Sequence, residues 1–161
     1  MRPIELKIKG INSYREEQVI NFNQLTSQGF FGIFGPTGSG KSTILDAITL
    51  ALYAKLPRGS KNFININETS ASVSFRFSIT TTETKEYLVE RSFRYPGKDR
   101  SSTARNTTAR LSLLSDVDTE ILADKPTDVT RSCTDLLGLS SDDFLRTVVL
   151  PQGQFSDFLK L

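Results

Sequence analysis

The feature that most constrains this chain is the octapeptide GPTGSGKS at 35–42, which satisfies the pattern G-x-x-x-x-G-K-[ST] in full. An apolar run precedes it at 30–34, and a run with helical spacing follows it at 42–53. This order of strand, loop and helix is the setting that the pattern requires, because the glycines let several backbone N–H groups point at the same oxygens. The N-terminal end of the following helix adds positive potential there. The octapeptide therefore predicts a loop that binds the phosphates of a nucleotide.

Two side chains of this phosphate loop have predicted chemical roles. Lys41 is expected to reach the β- and γ-phosphates, and the Ser42 hydroxyl is expected to ligate Mg²⁺. The alternative is a glycine-rich turn that carries a lysine by chance, and the correct flanks on both sides argue against it.

The composition of the chain excludes several classes of function. With 161 residues the chain suits one domain that buries a core of its own. Histidine is absent, which removes Ser-His and Cys-His catalysis, and the single cysteine, Cys133, leaves neither an internal disulfide nor a plausible zinc site. No apolar run approaches the roughly 20 residues of a membrane span, and the N-terminus is unlike a signal peptide. A cytoplasmic protein with no membrane partner is therefore expected, and the net charge of +2 is too small to indicate nucleic acid by itself.

Alternation of apolar and polar residues predicts an antiparallel sheet in a protein of the α/β class. The predicted strands cover 4–11, 18–22, 72–79, 87–95, 109–114 and 120–122. Residues 30–34 are expected to form a buried strand that leads into the phosphate loop. The predicted architecture is an antiparallel β-meander plus a mixed sheet, packed on the helix that follows the loop.

The predicted helices have clear boundaries. The helix at 42–53 carries apolar residues on most sides and is expected to be covered over most of its surface. A second helix is predicted at Pro126–Leu137, with Gly138 just past its end. Cys133 lies on the apolar face of this helix and is expected in the core. The segment 140–143 resembles a capping box that opens a further short helix.

A strongly basic segment runs from Arg91 to Arg110. It carries six cationic side chains against one acid, Asp99, and turn-forming residues near its middle indicate a mobile hairpin tip. One interpretation is contact with the phosphate backbone of DNA, because cations release counterions from the duplex. The residues predicted for this contact are Arg94, Lys98, Arg100 and Arg105. The other interpretation is a solvated loop that its charge keeps soluble.

A second polar loop is predicted near the end of the sequence. An apolar run ends at Pro151, and two glutamines then flank Gly153. Gln152 is placed to approach Mg²⁺ or the attacking water, a task that glutamine performs in other phosphate-cleaving enzymes; the alternative is a polar turn. No second apolar strand ends in Asp-Glu, and the sequence contains no Leu-Ser-Gly-Gly element. The chain therefore carries a nucleotide cradle without most of the groups that cleave the nucleotide.

Five segments, in order along the chain, resemble the N-terminal part of the SbcC family, the bacterial branch of the DNA double-strand-break repair ATPases related to SMC proteins. They are GINS at 10–13, the phosphate loop with Thr43, LDAITLALY at 45–53, ILADK at 121–125 and VLPQGQF at 149–155. The resemblance implies a P-loop NTPase of the ABC/SMC type whose ATPase head is split in sequence. Residues 1–154 would then be the N-terminal half of that head, and residues 155–161 the start of a coiled-coil helix.

The resemblance also implies which residues bind ATP and Mg²⁺. Lys41 and Ser42 keep the roles given above, and Gln152 would be the glutamine that senses Mg²⁺ and the γ-phosphate. Asn12 and Ser13 fall where the family contacts the base or the phosphates. The cradle would be lined by Gly35, Pro36, Thr37, Gly38, Ser39, Gly40 and Thr43. The implied partners are the C-terminal half of the same head, a second protomer joined through two ATP molecules, an SbcD-like nuclease and double-stranded DNA.

Other function classes stay open at this point. A small-molecule kinase or GTPase would use the same cradle, but the sequence shows neither a substrate lid nor an Asn-Lys-x-Asp motif. A non-catalytic fragment, or another P-loop NTPase such as an SMC- or RecF-like DNA-associated ATPase, is the alternative to the SbcC-like assignment.

Overall fold

The computed structural model describes residues 1–25, 32–56, 62–97, 100 and 102–149, with the backbone alone at 149. Within these residues six strands form one sheet in the order β2-β1-β3-β4-β5-β6, and every neighbouring pair is antiparallel. The strands are β1 Arg2–Lys9, β2 Gln18–Asn21, β3 Ser70–Thr80, β4 Thr84–Arg94, β5 Arg105–Leu114 and β6 Thr119–Ala123. The helices are α1 Phe22–Leu25, α2 Lys41–Tyr53, α3 Pro126–Leu137 and α4 Ser141–Phe144, and a π-helical turn follows at Leu145–Val149. The predicted α/β class and the antiparallel β-meander, which runs from β3 to β6, are confirmed.

One face of the sheet is apolar because side chains alternate along its strands. On β3 the buried residues Ala71, Val73, Phe75 and Phe77 alternate with two serines and an arginine that are partly exposed. Helix α2 contacts β3 and β4, and α3 contacts β5 and β6. The core therefore lies between the sheet and these two helices.

Helix α2, which follows the phosphate loop, is held on most sides. Eight of its 13 residues are buried, and Ala47, Ala51 and Leu52 are fully buried. This confirms the wide apolar surface predicted for 42–53. Burial of α2 fixes the direction in which its N-terminus points.

None of the described helices is both long and apolar enough to span a membrane.

Arg91 of β4 lies in the core and holds the C-terminal end of α2. Its side chain donates to the backbone oxygens of Ala51, at 2.6 Å, and Leu52, at 3.1 Å, and to Thr130 Oγ1 of α3 at 3.0 Å. The residue is 2% exposed, and burial lowers the pKa of its guanidinium to about 10, so it stays protonated at neutral pH. Arg91 therefore fits neither interpretation of the basic segment, contact with DNA or a solvated loop, because it donates to the carbonyls at a helix C-terminus, which need a donor and attract a cation.

The second predicted helix is correct at both ends. Helix α3 spans Pro126–Leu137, with proline in its first turn, and ends at Gly138, whose φ is 66°. Ser140 opens α4 as predicted, because its Oγ accepts from the backbone N of Asp143 at 3.2 Å. Cys133 is fully buried, which confirms its predicted place in the core.

The buried strand predicted at 30–34 is wrong for the part that the structure describes. Residues 32–34 lie outside the sheet, and Phe34 is 92% exposed. A strand needs a hydrogen-bonded neighbour, and these residues pair with none of the described strands. The mixed sheet expected from this strand is likewise wrong for the described part of the chain, where all pairs are antiparallel.

The tip of the basic hairpin is shorter than the sequence predicts. Strand β4 ends at Arg94, within one residue of the predicted end, whereas β5 begins at Arg105 and not at the predicted residue 109, so Arg94 and Arg105 are both strand positions. Lys98, Gln152 and the coiled-coil start predicted at 155–161 lie outside the described residues.

Candidate nucleotide-binding site

The phosphate loop owes its shape to two glycines with left-handed backbone. Gly38 has a φ of 85° and Gly40 a φ of 88°, a region that side chains disfavour. At Gly38 an added Cβ would meet nothing within 4 Å, so only the backbone angle requires glycine there. At Gly40 it would lie 2.8 Å from Ser13 Oγ and 2.8 Å from Tyr14 Cε2, so the available space requires glycine as well. The loop is therefore open at Gly38 and tightly packed at Gly40.

Helix α2 presents an uncapped N-terminus to this loop. Gly40 is its N-cap residue and offers no side-chain acceptor, and the first turn contains no acidic residue. The backbone N–H groups there consequently lack the side-chain partner that caps most helices. Such an end attracts anions through its donors and its dipole. These donors suit the phosphate groups of a nucleotide.

The Lys41 ammonium folds over the loop and is held by it. Nζ donates to the backbone oxygens of Gly35 and Pro36, both at 2.7 Å, and lies 3.4 Å from Ser39 Oγ. These acceptors are neutral, so charged phosphate oxygens would compete well for the same ammonium. The predicted contact with phosphate requires only that Lys41 exchange carbonyl oxygens for phosphate oxygens.

The described residues offer a small donor set for Mg²⁺. Among them, no group of three or more His, Cys, Asp or Glu side chains lies close enough together to hold a metal ion. Ser42, in the first turn of α2, is exposed and contributes one hydroxyl oxygen. Mg²⁺ is usually bound by one or two protein groups, several waters and the phosphates of a nucleotide. This part of the chain therefore fits a Mg²⁺ that arrives with the nucleotide.

The turn at 10–15 is held against the phosphate loop. Asn12 Nδ2 donates to Thr43 Oγ1 at 3.2 Å, and the Tyr14 hydroxyl donates to the Gly40 oxygen at 3.3 Å. The predicted residue Asn12 and its neighbour Ser13 consequently lie beside the loop. The Thr43 side chain is buried and engaged by Asn12, so it positions the turn. Sequence reasoning missed Tyr14, whose only signal is an aromatic ring within a polar turn.

Two of the arginines predicted to contact DNA form an exposed pair. Arg94 and Arg105 lie directly opposite each other on β4 and β5, and both are exposed. Like charges in directly opposed positions repel each other. An anion placed between the two guanidinium groups would relieve that repulsion.

Arg100, the third described member of that predicted group, is engaged within the chain. Its Nη2 donates to the backbone oxygens of Asn65, at 2.8 Å, and Glu68. Its guanidinium carbon lies 5.6 Å from the centre of the Tyr95 ring, within the range of a cation–π contact. Asn65 also donates a hydrogen bond to the 10–15 turn. Sequence reasoning missed Asn65, because no local pattern signals its role.

Comparison with known sequences gives the family of the chain. Residues 5–161 match the sequence profile of the AAA domain family. The chain belongs to the AAA domain family. The matched region includes the phosphate loop, α2 and the turn at 10–15, so the site described above lies within the AAA domain.

Curated relatives of this AAA domain carry informative names. Over its full length the chain is 52% identical to a Clostridium acetobutylicum protein named as the C component of nuclease SbcCD, and 49% identical to the Bacillus subtilis protein of the same name. An Aquifex aeolicus protein named Probable DNA double-strand break repair Rad50 ATPase is 34% identical over 99% of the chain. The chain spans 14% of the length of the first two relatives and 15% of the third. It therefore corresponds to a small part of each.

Proposed function

We propose that this chain is the ATP-binding N-terminal half of a split ABC-type ATPase head of the SbcC kind. The observation that carries the proposal is the combination of a left-handed glycine loop, an uncapped helix N-terminus and an ammonium within the loop. Together these supply the backbone donors and the positive charge that phosphate groups need. The names of relatives at 52% and 34% identity, a component of the SbcCD nuclease and a Rad50 ATPase, support the same assignment.

In this proposal the loop backbone and Lys41 hold the triphosphate, and Ser42 offers its hydroxyl to Mg²⁺. A bound Mg²⁺ would neutralise charge on the β- and γ-phosphates. On nucleotide binding Lys41 leaves the oxygens of Gly35 and Pro36 for phosphate oxygens, which accept more strongly because they are charged. Asn12, held beside α2, would contact the base or the phosphates together with its neighbour in the turn.

We propose that other polypeptide supplies the groups that cleave ATP. The described residues hold no cluster of three or more acidic, histidine or cysteine side chains suited to a metal ion. Gln152 stays the predicted sensor of Mg²⁺ and the γ-phosphate. The C-terminal half of the head and a second protomer would complete the site around each ATP. Hydrolysis would remove the bridge between two heads and let them part, and a nuclease partner would then process the DNA end.

The exposed pair Arg94 and Arg105, together with Lys98, is proposed to contact DNA phosphates. A phosphate between the two arginines removes their mutual repulsion and accepts charge-assisted hydrogen bonds from both. Contacts of this kind position a duplex without reading its sequence. Arg100 is left out of this surface, because its guanidinium already binds two backbone oxygens.

ATP binding and turnover by the chain, alone and after addition of the C-terminal half of the head, test the ATPase proposal. The chain alone should bind ATP without turning it over, and mixing the halves should produce turnover. Lys41→Ala should abolish ATP binding and ATP turnover. Lys85→Ala, which removes an exposed lysine from β4, should leave both unchanged. Turnover by the chain alone would contradict the split head. Activity retained in the Lys41→Ala mixture would contradict the site assignment.

A salt titration of duplex binding by the full-length protein tests the DNA contact. If both arginines bind phosphate, replacing Arg94 and Arg105 with alanine should reduce the slope of log affinity against log salt by about 2. The matched control is Arg131→Ala on α3, which also removes an exposed arginine. An unchanged slope in the double variant would remove the pair from the DNA surface.

A further inference from the structure

A chain of hydrogen bonds connects the basic hairpin to the nucleotide site. It begins at Arg100, in the connection between β4 and β5, whose Nη2 donates to the backbone oxygens of Asn65, at 2.8 Å, and Glu68. Asn65 donates in turn through its backbone N to the Gly10 oxygen at 2.8 Å, and through Nδ2 to the Asn12 oxygen at 2.6 Å. Asn65 is therefore the residue at which the hairpin and the 10–15 turn meet.

Asn12 is the point at which these bonds reach the phosphate loop. Its backbone is left-handed, with a φ of 48°, which side chains adopt at a cost and which surrounding contacts must maintain. Its N–H donates to the Phe63 oxygen at 2.7 Å, its own oxygen accepts from Asn65, and its Nδ2 donates to Thr43 Oγ1 at 3.2 Å. Two of these three bonds join Asn12 to the segment 62–68. The position of Asn12 beside α2 consequently depends on that segment.

The segment 62–68 is tied to the rest of the molecule on its exposed side by two arginines. Arg15 forms an ion pair with Glu68 at 2.8 Å, and this pair is exposed, so it contributes little. Arg100 binds two backbone oxygens of the segment through one nitrogen and also lies over the Tyr95 ring. Arg100 is therefore the stronger of the two ties.

We propose that Arg100 and Asn65 are positioning residues for nucleotide binding, which together hold the 10–15 turn beside the phosphate loop. Neither residue touches the nucleotide in this role. Arg100 acts on Asn65, Asn65 acts on Asn12, and Asn12 reaches the first turn of α2 through Thr43. The inference rests on the proposed function, because it concerns the affinity of the same site for ATP.

The affinity of the full-length protein for a fluorescent ribose-labelled ATP, measured without DNA, tests this role. Arg100→Met and Asn65→Ala should each weaken binding about fivefold, a coupling typical of residues that act through others. Turnover at saturating ATP should stay near that of the wild type, since neither side chain touches a reacting group. Arg100→Lys, which keeps the positive charge and hydrogen-bond donors on a long side chain, should bind ATP nearly as well as the wild type. Arg131→Met, which removes an exposed arginine from α3, is the matched control and should leave the affinity unchanged.

A double variant distinguishes one connected chain from two separate effects. Asn65→Ala removes the side-chain bond to Asn12 and keeps the backbone oxygen that Arg100 binds. If Arg100 acts partly through that side chain, combining Arg100→Met with Asn65→Ala should weaken ATP binding by less than the two single losses predict together. Additive losses, or single variants with wild-type affinity, would overturn the inference and leave the proposed function intact. Wild-type protein that binds no ATP would overturn the proposed function itself. If Arg100→Met fails to fold, Arg100→Gln combined with Asn65→Ala supplies the same comparison, with the same two outcomes.

Discussion

Alanine at Gly40 is expected to damage the phosphate loop more than alanine at Gly38. The two φ angles are 88° and 85°, so each substitution places alanine in left-handed backbone, at about 1–2 kcal/mol. Only at Gly40 does the new Cβ meet neighbours, at 2.8 Å from Ser13 Oγ and 2.8 Å from Tyr14 Cε2. Ser13 Oγ can rotate away, but the Tyr14 ring is held by its hydroxyl bond to the Gly40 oxygen, so crowding adds about 1–3 kcal/mol. The expected loss for Gly40→Ala is therefore about 2–5 kcal/mol.

Urea unfolding of the two variants measures this difference. Gly38→Ala should lower the free energy of unfolding by the backbone strain alone, and Gly40→Ala should lower it by at least about 1 kcal/mol more. Tyr14→Ala removes the ring, so in the Gly40→Ala background it should recover part of the extra loss. Losses that agree within about 0.5 kcal/mol at the two glycines would refute the reasoning, because the ring would then not fill the space at Gly40.

Three further predictions concern the core and an exposed ion pair. Arg91→Met should lower the free energy of unfolding by about 3 kcal/mol, because two backbone oxygens at the end of α2 lose their buried donor. A loss below about 1 kcal/mol in urea unfolding would show that these oxygens find other partners. Burial raises the pKa of the Cys133 thiol to about 11. Iodoacetamide should therefore alkylate Cys133 far more slowly in the native chain than in the urea-unfolded chain. Equal alkylation rates, measured by mass spectrometry, would contradict the burial of this thiol. A hydrogen bond from Lys55, and its charge, hold the pKa of the Asp142 carboxyl below its usual range. The stabilisation that the Lys55–Asp142 pair gives the folded chain should therefore be full above about pH 4 and lost as the pH falls below that value. Urea unfolding across acidic pH should show that Asp142→Asn removes this part of the pH dependence, and an unchanged profile would show that the pair contributes nothing.

Local patterns predicted most of the sheet and both ends of α3, because the information lies within each element. Strict alternation over β3 sets its buried face, and proline followed by glycine bounds α3 at Pro126 and Gly138. The capping box at Ser140 likewise depends on a residue three positions away. The position of the phosphate loop before a helix was predicted for the same reason, since its pattern specifies both.

Features that depend on distant segments were not predictable from local pattern. Arg91 resembles any other arginine of a basic run, and only the packing of β4 places it at the end of α2. The apolar run at 30–34 has the composition of a strand, but pairing depends on a neighbouring strand that composition does not reveal. Asn65 and Tyr14 are ordinary residues of polar turns, and their contacts arise only where those turns meet the phosphate loop or each other.

A crystal structure of the full-length protein with a non-hydrolysable ATP analogue and Mg²⁺ tests the central claim most directly. We expect the triphosphate against the N–H groups at the start of α2, with Lys41 Nζ on phosphate oxygens and no longer on the oxygens of Gly35 and Pro36. An analogue bound elsewhere, or Lys41 still on those two oxygens with the triphosphate beyond its reach, would contradict the assignment of this loop as the nucleotide site.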